Sequence, residues 1–155
     1  MKVNNMFFKI LAVVTLMAPM FANAEVTLNR LSCTPAGMNE NLLFEFTSES
    51  DVVGSYSVIG SLRVNNAQGR TVEETTNVGI RYVLKAAANE VGSALTNLTG
   101  DLGRSGKIQI AMTSQGQAVI HSDLFSPTMN FPNGKTANCV FMSHIRPKPS
   151  LSGSN

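Results

Sequence analysis

The chain has 155 residues, with 12 Lys or Arg residues, 10 Asp or Glu residues and two cysteines. This length fits one domain and is enough to bury a sizeable core. The near balance of charge leaves no basic stripe that would bind nucleic acid or an anionic membrane surface.

The first 24 residues have the three-part layout of a secretory signal peptide. Lys2 and Lys9 supply positive charge, the run over 10–20 is almost wholly apolar, and Ala22 and Ala24 are the small residues that precede a cut. The apolar run is shorter than the roughly 20 residues of a membrane-spanning helix. We therefore predict cleavage between Ala24 and Glu25.

Cleavage changes the charge and defines the domain. The mature chain has 131 residues, with ten cations against ten acids, and no segment that would cross a membrane as a helix. We predict one β domain over 25–145 and a disordered polar tail over 146–155. The signal predicts a periplasmic protein, with release outside the cell as the second choice.

Cys33 and Cys139 both lie in the mature part of the chain. In an oxidising compartment an even pair of cysteines normally forms a disulfide. Cys33 lies well beyond the apolar run, and Arg30 stands before it where a lipid-attachment cysteine has an aliphatic residue. We predict a disulfide that ties the first strand to the last across a loop of about 100 residues, which stabilises by about 4–5 kcal/mol in the chain-entropy model.

Alternating apolar and polar residues predict strands along most of the domain. Leu42, Phe44 and Phe46 share one face of the clearest early strand, and Gly60 interrupts the apolar face of the next, which indicates a bulge or a close approach of another backbone. The predicted strands begin near Val26 and continue over 41–47, 56–64, 71–84, 107–113, 117–125 and 137–143.

Residues 84–98 fit two interpretations. Their apolar positions keep the spacing of one helical face: Leu84, Ala87, Ala88, Val91, Leu95 and Leu98. The alternative is a strand that ends near Ala87, a loop over 89–93 and a further strand over 94–102. Both remain open.

Turn residues separate the strands. Asn and Gly over 65–69 and Gly116 after Ser114 predict hairpin loops. The segment 126–136 contains Pro127 and Pro132-Asn133-Gly134, which predicts a long surface loop. The whole pattern predicts a mainly β fold: a single antiparallel β-sandwich or small β-barrel of about seven to eight strands, with or without one short helix near 84–98.

His121 and Asp123 are the only close pair of a histidine and an acid. Two residues apart on a strand, they share a face and could share a metal ion or a proton. The other face of this strand is the more continuously apolar one, so we expect the pair to point to solvent. His144 is the only other imidazole, and we predict no metal site and no cofactor.

No nucleophile elbow or other set of nucleophile, base and orienting residue is evident, so we predict that the protein is not an enzyme. The first hypothesis is a binding or structural module that contacts a protein or an envelope component through loops such as 126–136. The second is a barrel that carries a small apolar ligand. A hydrolase and an outer-membrane barrel are less favoured, the latter because the few aromatic residues form no girdles.

Overall fold

The computed structural model describes residues 25–49, 52–87, 93–113, 116–124 and 129–147. They form eight antiparallel strands that pair in chain order, and the last strand pairs with the first to close a barrel. The strands are β1 (Glu25–Pro35), β2 (Asn41–Ser48), β3 (Gly54–Asn65), β4 (Thr71–Ala86), β5 (Ser93–Asp101), β6 (Lys107–Met112), β7 (Gln117–Asp123) and β8 (Asn130–Pro147), with one 3₁₀ turn at Gly103–Ser105. The predicted mainly β fold of seven to eight strands is confirmed, and of the two architectures that the sequence left open, sandwich or barrel, it is the barrel. The segment predicted as a signal peptide lies outside the described residues.

Apolar side chains fill the inside of the barrel. On β2, Leu42, Phe44 and Phe46 all point inward and are buried, as their alternation predicted. The Phe46 and Tyr82 rings have centroids 4.7 Å apart, and the Tyr56 ring stacks on Tyr82 at 5.2 Å. An eight-stranded barrel is just wide enough for side chains of this size to fill it.

Charged side chains lie on the outside. Glu45 of β2 forms ion pairs with Arg30 of β1, at 2.5 Å, and with Arg63 of β3, at 3.2 Å. Arg63 also pairs with Glu74 of β4 at 2.8 Å. The period-2 alternation of the strands therefore separates an apolar interior from a charged exterior.

The helical interpretation of 84–98 is wrong where the structure describes this segment, because β4 continues to Ala86 and β5 begins at Ser93. Leu84 and Leu95 lie opposite each other on these two strands. A register shift beside Val83 brings Leu95 and Leu98, three residues apart, to the same inner face. This bulge produces the three-residue spacing that the sequence pattern attributed to a helix.

The last strand is longer than predicted. The described part of the predicted loop 126–136 belongs largely to β8, which begins at Asn130 and continues to Pro147. Ser122 of β7 pairs with Phe131 of β8, and Ile120 pairs with Lys135. The two β7 residues are two positions apart in sequence, whereas their β8 partners are four positions apart. The Pro-Asn-Gly signal therefore marks a bulge within a strand, with Gly134 at a φ of 81°.

Gly60 of β3 faces the interior at a point of close approach. A Cβ atom here would lie 2.4 Å from the carbonyl oxygen of Glu45 and 2.6 Å from Cδ1 of Ile80. The pairing of β3 with β4 also shifts register between Gly60 and Ser61. Both expectations for this glycine, a bulge and a close backbone approach, are confirmed. The described residues include no helix with the length and apolar character needed to span a membrane.

Candidate functional site

The disulfide lies where the barrel closes. Cys33 of β1 and Cys139 of β8 are directly opposite each other, their Cα atoms are 4.1 Å apart, and their sulfur atoms are bonded. Both residues are buried among the interior side chains. The predicted bond between the first and last strands is confirmed, and both cysteines serve structure.

The structure places His121 and Asp123 on the outer face of β7, as predicted. Oδ1 of Asp123 accepts a hydrogen bond from the backbone N–H of Lys107 at 2.5 Å, which secures the start of β6. The His121 ring packs over the bulge of β8, since a Cβ atom on Gly134 would lie 2.7 Å from its Cε1. Each side chain thus has a structural role that needs no ligand.

These two residues border a shallow cleft of about 230 Å³. Among the described residues, no group of three or more His, Cys, Asp or Glu side chains could hold a metal ion. His144 is exposed on β8, on a different strand pair. A metal centre typically needs at least three protein ligands, and the described residues around this cleft do not supply such a group.

A different feature of β8 was missed by sequence reasoning. The pairing of β7 with β8 begins at Gln117 opposite Asn138, so residues 140–145 of β8 pair with β1 on one side and have no described strand on the other. We call this segment the β8 edge. Unpaired edges of this kind are templates for pairing with another strand.

An apolar groove lies beside the β8 edge. It has a volume of about 640 Å³ and lies between β8, the start of β5, the end of β6 and the start of β7. Its lining has no charged side chain and includes Leu95, Met112 and Phe141. On the outer surface of the same edge, Val140 and Met142 are 58% and 42% exposed, and Ile145 at its end is 66% exposed. The groove lining and residues 140–145 together form a surface without an Asp, Glu, Lys or Arg side chain.

Another strand of the barrel shows how an edge is normally protected. β4 pairs with β5 only from Gly79 onward, so among the described strands its first half pairs with β3 alone. This half carries Glu73 and Glu74, and Asn77, with a φ of 58°, bulges out of it. Charges and bulges are the usual means of preventing strand addition. Residues 140–145 contain no Asp, Glu, Lys or Arg.

Buried polar groups lie at the same end of the barrel. Asn29 donates a hydrogen bond to Oγ of Ser48 at 2.8 Å and accepts one from Oγ of Ser143 at 2.7 Å. The Tyr82 hydroxyl is buried and completes no hydrogen bond with a described residue. Burial raises the pKa of Tyr82, and the nearby Ser48 hydroxyl offsets part of that rise. The network fixes the β8 edge to β1 through Ser143.

The β8 edge could not have been found from the predicted strand lengths. The last strand is predicted over 137–143 only, which is no longer than the predicted strands over 107–113 and 117–125, whereas the observed β8 continues to Pro147. On the outside of the barrel, Asp101 accepts a hydrogen bond from the Gly103 N–H, which together with Lys107 lowers the pKa of its carboxyl. No protein-family model, curated protein or solved structure matches this chain.

Proposed function

We propose that this protein is an exported, non-catalytic β domain that acts as a binding or structural module and contacts another protein or an envelope component. The observation that carries the proposal is the β8 edge, which no described strand covers, beside a groove whose lining has no charged side chain. An exposed apolar strand edge is a liability for a protein that acts alone, because it invites pairing with other chains. Its presence in a barrel whose β4 edge carries charges and a bulge favours a role in binding.

The filled interior argues against the second hypothesis, a carrier of a small apolar ligand. A carrier barrel keeps space inside for its ligand. Here Phe44, Phe46 and Tyr82 point into the barrel and pack against the aliphatic side chains of the core. A ligand of any size would have to displace these side chains, whereas a partner at the β8 edge displaces none of them.

The distribution of charge argues against an outer-membrane barrel. Such a barrel carries an apolar band outside and polar groups inside. This barrel has its apolar groups inside, and the Glu45 and Arg63 ion pairs face outward. The arrangement is the reverse of the one a lipid-facing barrel needs.

The disulfide is consistent with an oxidising compartment. Together with the predicted signal at 1–24, it supports export to the periplasm, with release outside the cell as the alternative. The partner would then be another exported protein or an envelope component.

Native mass spectrometry of the full chain isolated from its own host tests the proposal. We expect a mass that corresponds to residues 25–155 with two hydrogens lost, in a complex of fixed stoichiometry with another chain. A small molecule that denaturation removes would favour the carrier instead. A bare monomer over the whole range of gentle conditions would contradict the binding role.

A further inference from the structure

The side to which the backbone N–H and C=O groups of the β8 edge point can be derived from the disulfide pair. In antiparallel strands, directly opposite residues with Cα atoms about 4.5 Å apart form a pair without hydrogen bonds between them. Cys33 and Cys139, at 4.1 Å, are such a pair. The Cys139 N–H accordingly points away from β1 and donates to the carbonyl oxygen of Gly116 at 2.6 Å.

Backbone N–H and C=O groups of every second residue in a strand point to the same side, so the direction found for Cys139 applies to further residues of β8. Phe141, Ser143 and Ile145 are two, four and six residues beyond Cys139, so their N–H and C=O groups also point away from β1. β7 begins too late to meet them, and no described strand lies opposite. The edge therefore presents three residues whose main-chain donors and acceptors pair with no described strand, at regular two-residue spacing. Only an extended backbone has donors and acceptors at the same spacing.

We infer that the β8 edge binds one extended strand of a partner protein, whose side chains toward the groove are apolar and uncharged. This inference deepens the proposed function and rests on it. The strand continues the sheet past β8, and its inward side chains contact Leu95, Met112 and Phe141, in a groove without a charged group to pair with an ionic side chain. Main-chain hydrogen bonds give affinity, and the groove gives selectivity for alternating apolar residues.

The width of the gap between β5 and β8, next to the β8 edge, favours a single extended segment as the occupant over a second copy of this barrel. Beyond the β6–β7 hairpin, no described strand lies between β5 and β8. Two strands would fill this space, so β5 and β8 are separated here by three strand spacings, or about 14 Å. A second copy that paired through its own β8 would bring β1 and β2 with it, since these strands are hydrogen-bonded in series. Three or more strands do not fit in a gap of two, whereas one extended segment does.

The test uses the full mature chain and a synthetic probe, a blocked octapeptide of alternating valine and threonine with one added lysine for solubility. Hydrogen exchange of single amides, followed by NMR, is the readout. We expect the peptide to slow exchange at Phe141, Ser143 and Ile145 by at least tenfold. The amides of Val140, Met142 and His144 face β1, so their exchange rates should stay unchanged and serve as internal controls.

A matched pair of variants tests the location. Ile145 and Ile59 are exposed to the same extent, at 66% and 65%. Ile145→Lys places a charge at the β8 edge and should weaken peptide binding at least tenfold, whereas Ile59→Lys on β3 should change it less than twofold. Both variants should keep the melting temperature of the parent protein, because neither side chain belongs to the core. Equal effects of the two substitutions would overturn the inference.

A block peptide with four valines followed by four threonines has the same composition without the alternation, and it should bind at least tenfold more weakly. Unchanged exchange at the three edge amides, with the alternating peptide at up to about 1 mM, would overturn the inference. Protection of these amides already present without peptide would also overturn the inference. If that protection increases with protein concentration, the occupant is a second copy of the barrel. If it does not, the occupant is a segment of the same chain. If the complex from the host persists in Ile145→Lys, the inference fails while the proposed function stands.

Discussion

Cys33 and Cys139 face each other across the only strand pair that joins the two ends of the described barrel, with 106 residues of separation between them. Every other pair of neighbouring strands is consecutive in sequence and is joined by a short connection. The closing pair has no such connection. The disulfide therefore supplies a covalent link at the one position where loop-closure entropy is largest.

Replacing both cysteines with alanine should lower the free energy of unfolding by about 3–5 kcal/mol, because the unfolded chain is released from a long closed loop. Urea unfolding with and without a thiol reductant measures this. Reductant should lower the stability of the parent protein toward that of the variant, and it should leave the variant unchanged. Equal stability of parent and variant under oxidising conditions would contradict the prediction.

The fold class was predictable because period-2 alternation is a local property of the chain. The inner faces of β2 and β7 followed from it directly, whereas the cysteine pairing followed from the even number of cysteines and the predicted export. Bulges were the main source of error: the one beside Val83 imitates a helical spacing, and the one at Gly134 imitates a loop. Alternation cannot show these, since a bulge shifts the register by one or more residues.

The candidate site was less predictable than the fold. His121 and Asp123 attracted attention because of their residue types, and where they lie was predicted correctly. The β8 edge depends instead on the relative lengths and register of β1, β7 and β8. These are properties of paired strands far apart in sequence, which the sequence of any one strand does not contain.

Gly60→Ala should destabilise the barrel by about 1–3 kcal/mol, the usual cost of forcing extra atoms into a packed interior. The added Cβ atom meets the Glu45 carbonyl oxygen, which belongs to a paired strand and cannot move aside easily. Gly79→Ala is the matched control on the neighbouring strand: its Cβ atom would be 3.7 Å from the nearest atom, an ordinary contact. Thermal unfolding should show a large loss for the first variant and a change below about 0.5 kcal/mol for the second. Similar losses would show that the close approach at Gly60 has no energetic effect.

Glu45→Gln should lower stability by about 1 kcal/mol, because Glu45 bridges Arg30 and Arg63 on the outer surface. The effect is modest since both guanidinium groups remain well exposed. Salt screens such pairs, so the difference between variant and parent should shrink in about 1 M salt. Glu73→Gln, at an exposed glutamate that forms no ion pair with a described residue, is the control and should be nearly neutral. A salt-independent difference would mean that Glu45 stabilises the barrel by packing instead.

Tyr82→Phe should change the response of stability to alkaline pH. Burial raises the pKa of Tyr82 above its unfolded value of about 10, so the native state holds this proton more tightly than the unfolded chain does. The resulting stabilisation is fully present below pH 10 and is lost as pH rises through the raised pKa. The variant lacks this contribution, so its stability should fall less steeply above pH 10 than that of the parent.

The same variant also tests whether the Tyr82 hydroxyl has a hydrogen-bond partner. Because it completes no hydrogen bond with a described residue, Tyr82→Phe should be neutral or slightly stabilising at pH 7. Tyr56→Phe is the contrast: its hydroxyl donates to the Val52 carbonyl oxygen at 2.7 Å, so its removal should cost about 1 kcal/mol. Urea unfolding at pH 7 and at several values above pH 10 measures both effects. A loss above about 1 kcal/mol for Tyr82→Phe at pH 7 would show that the hydroxyl is hydrogen-bonded in solution, and the polar cluster around Asn29 would then extend to Tyr82.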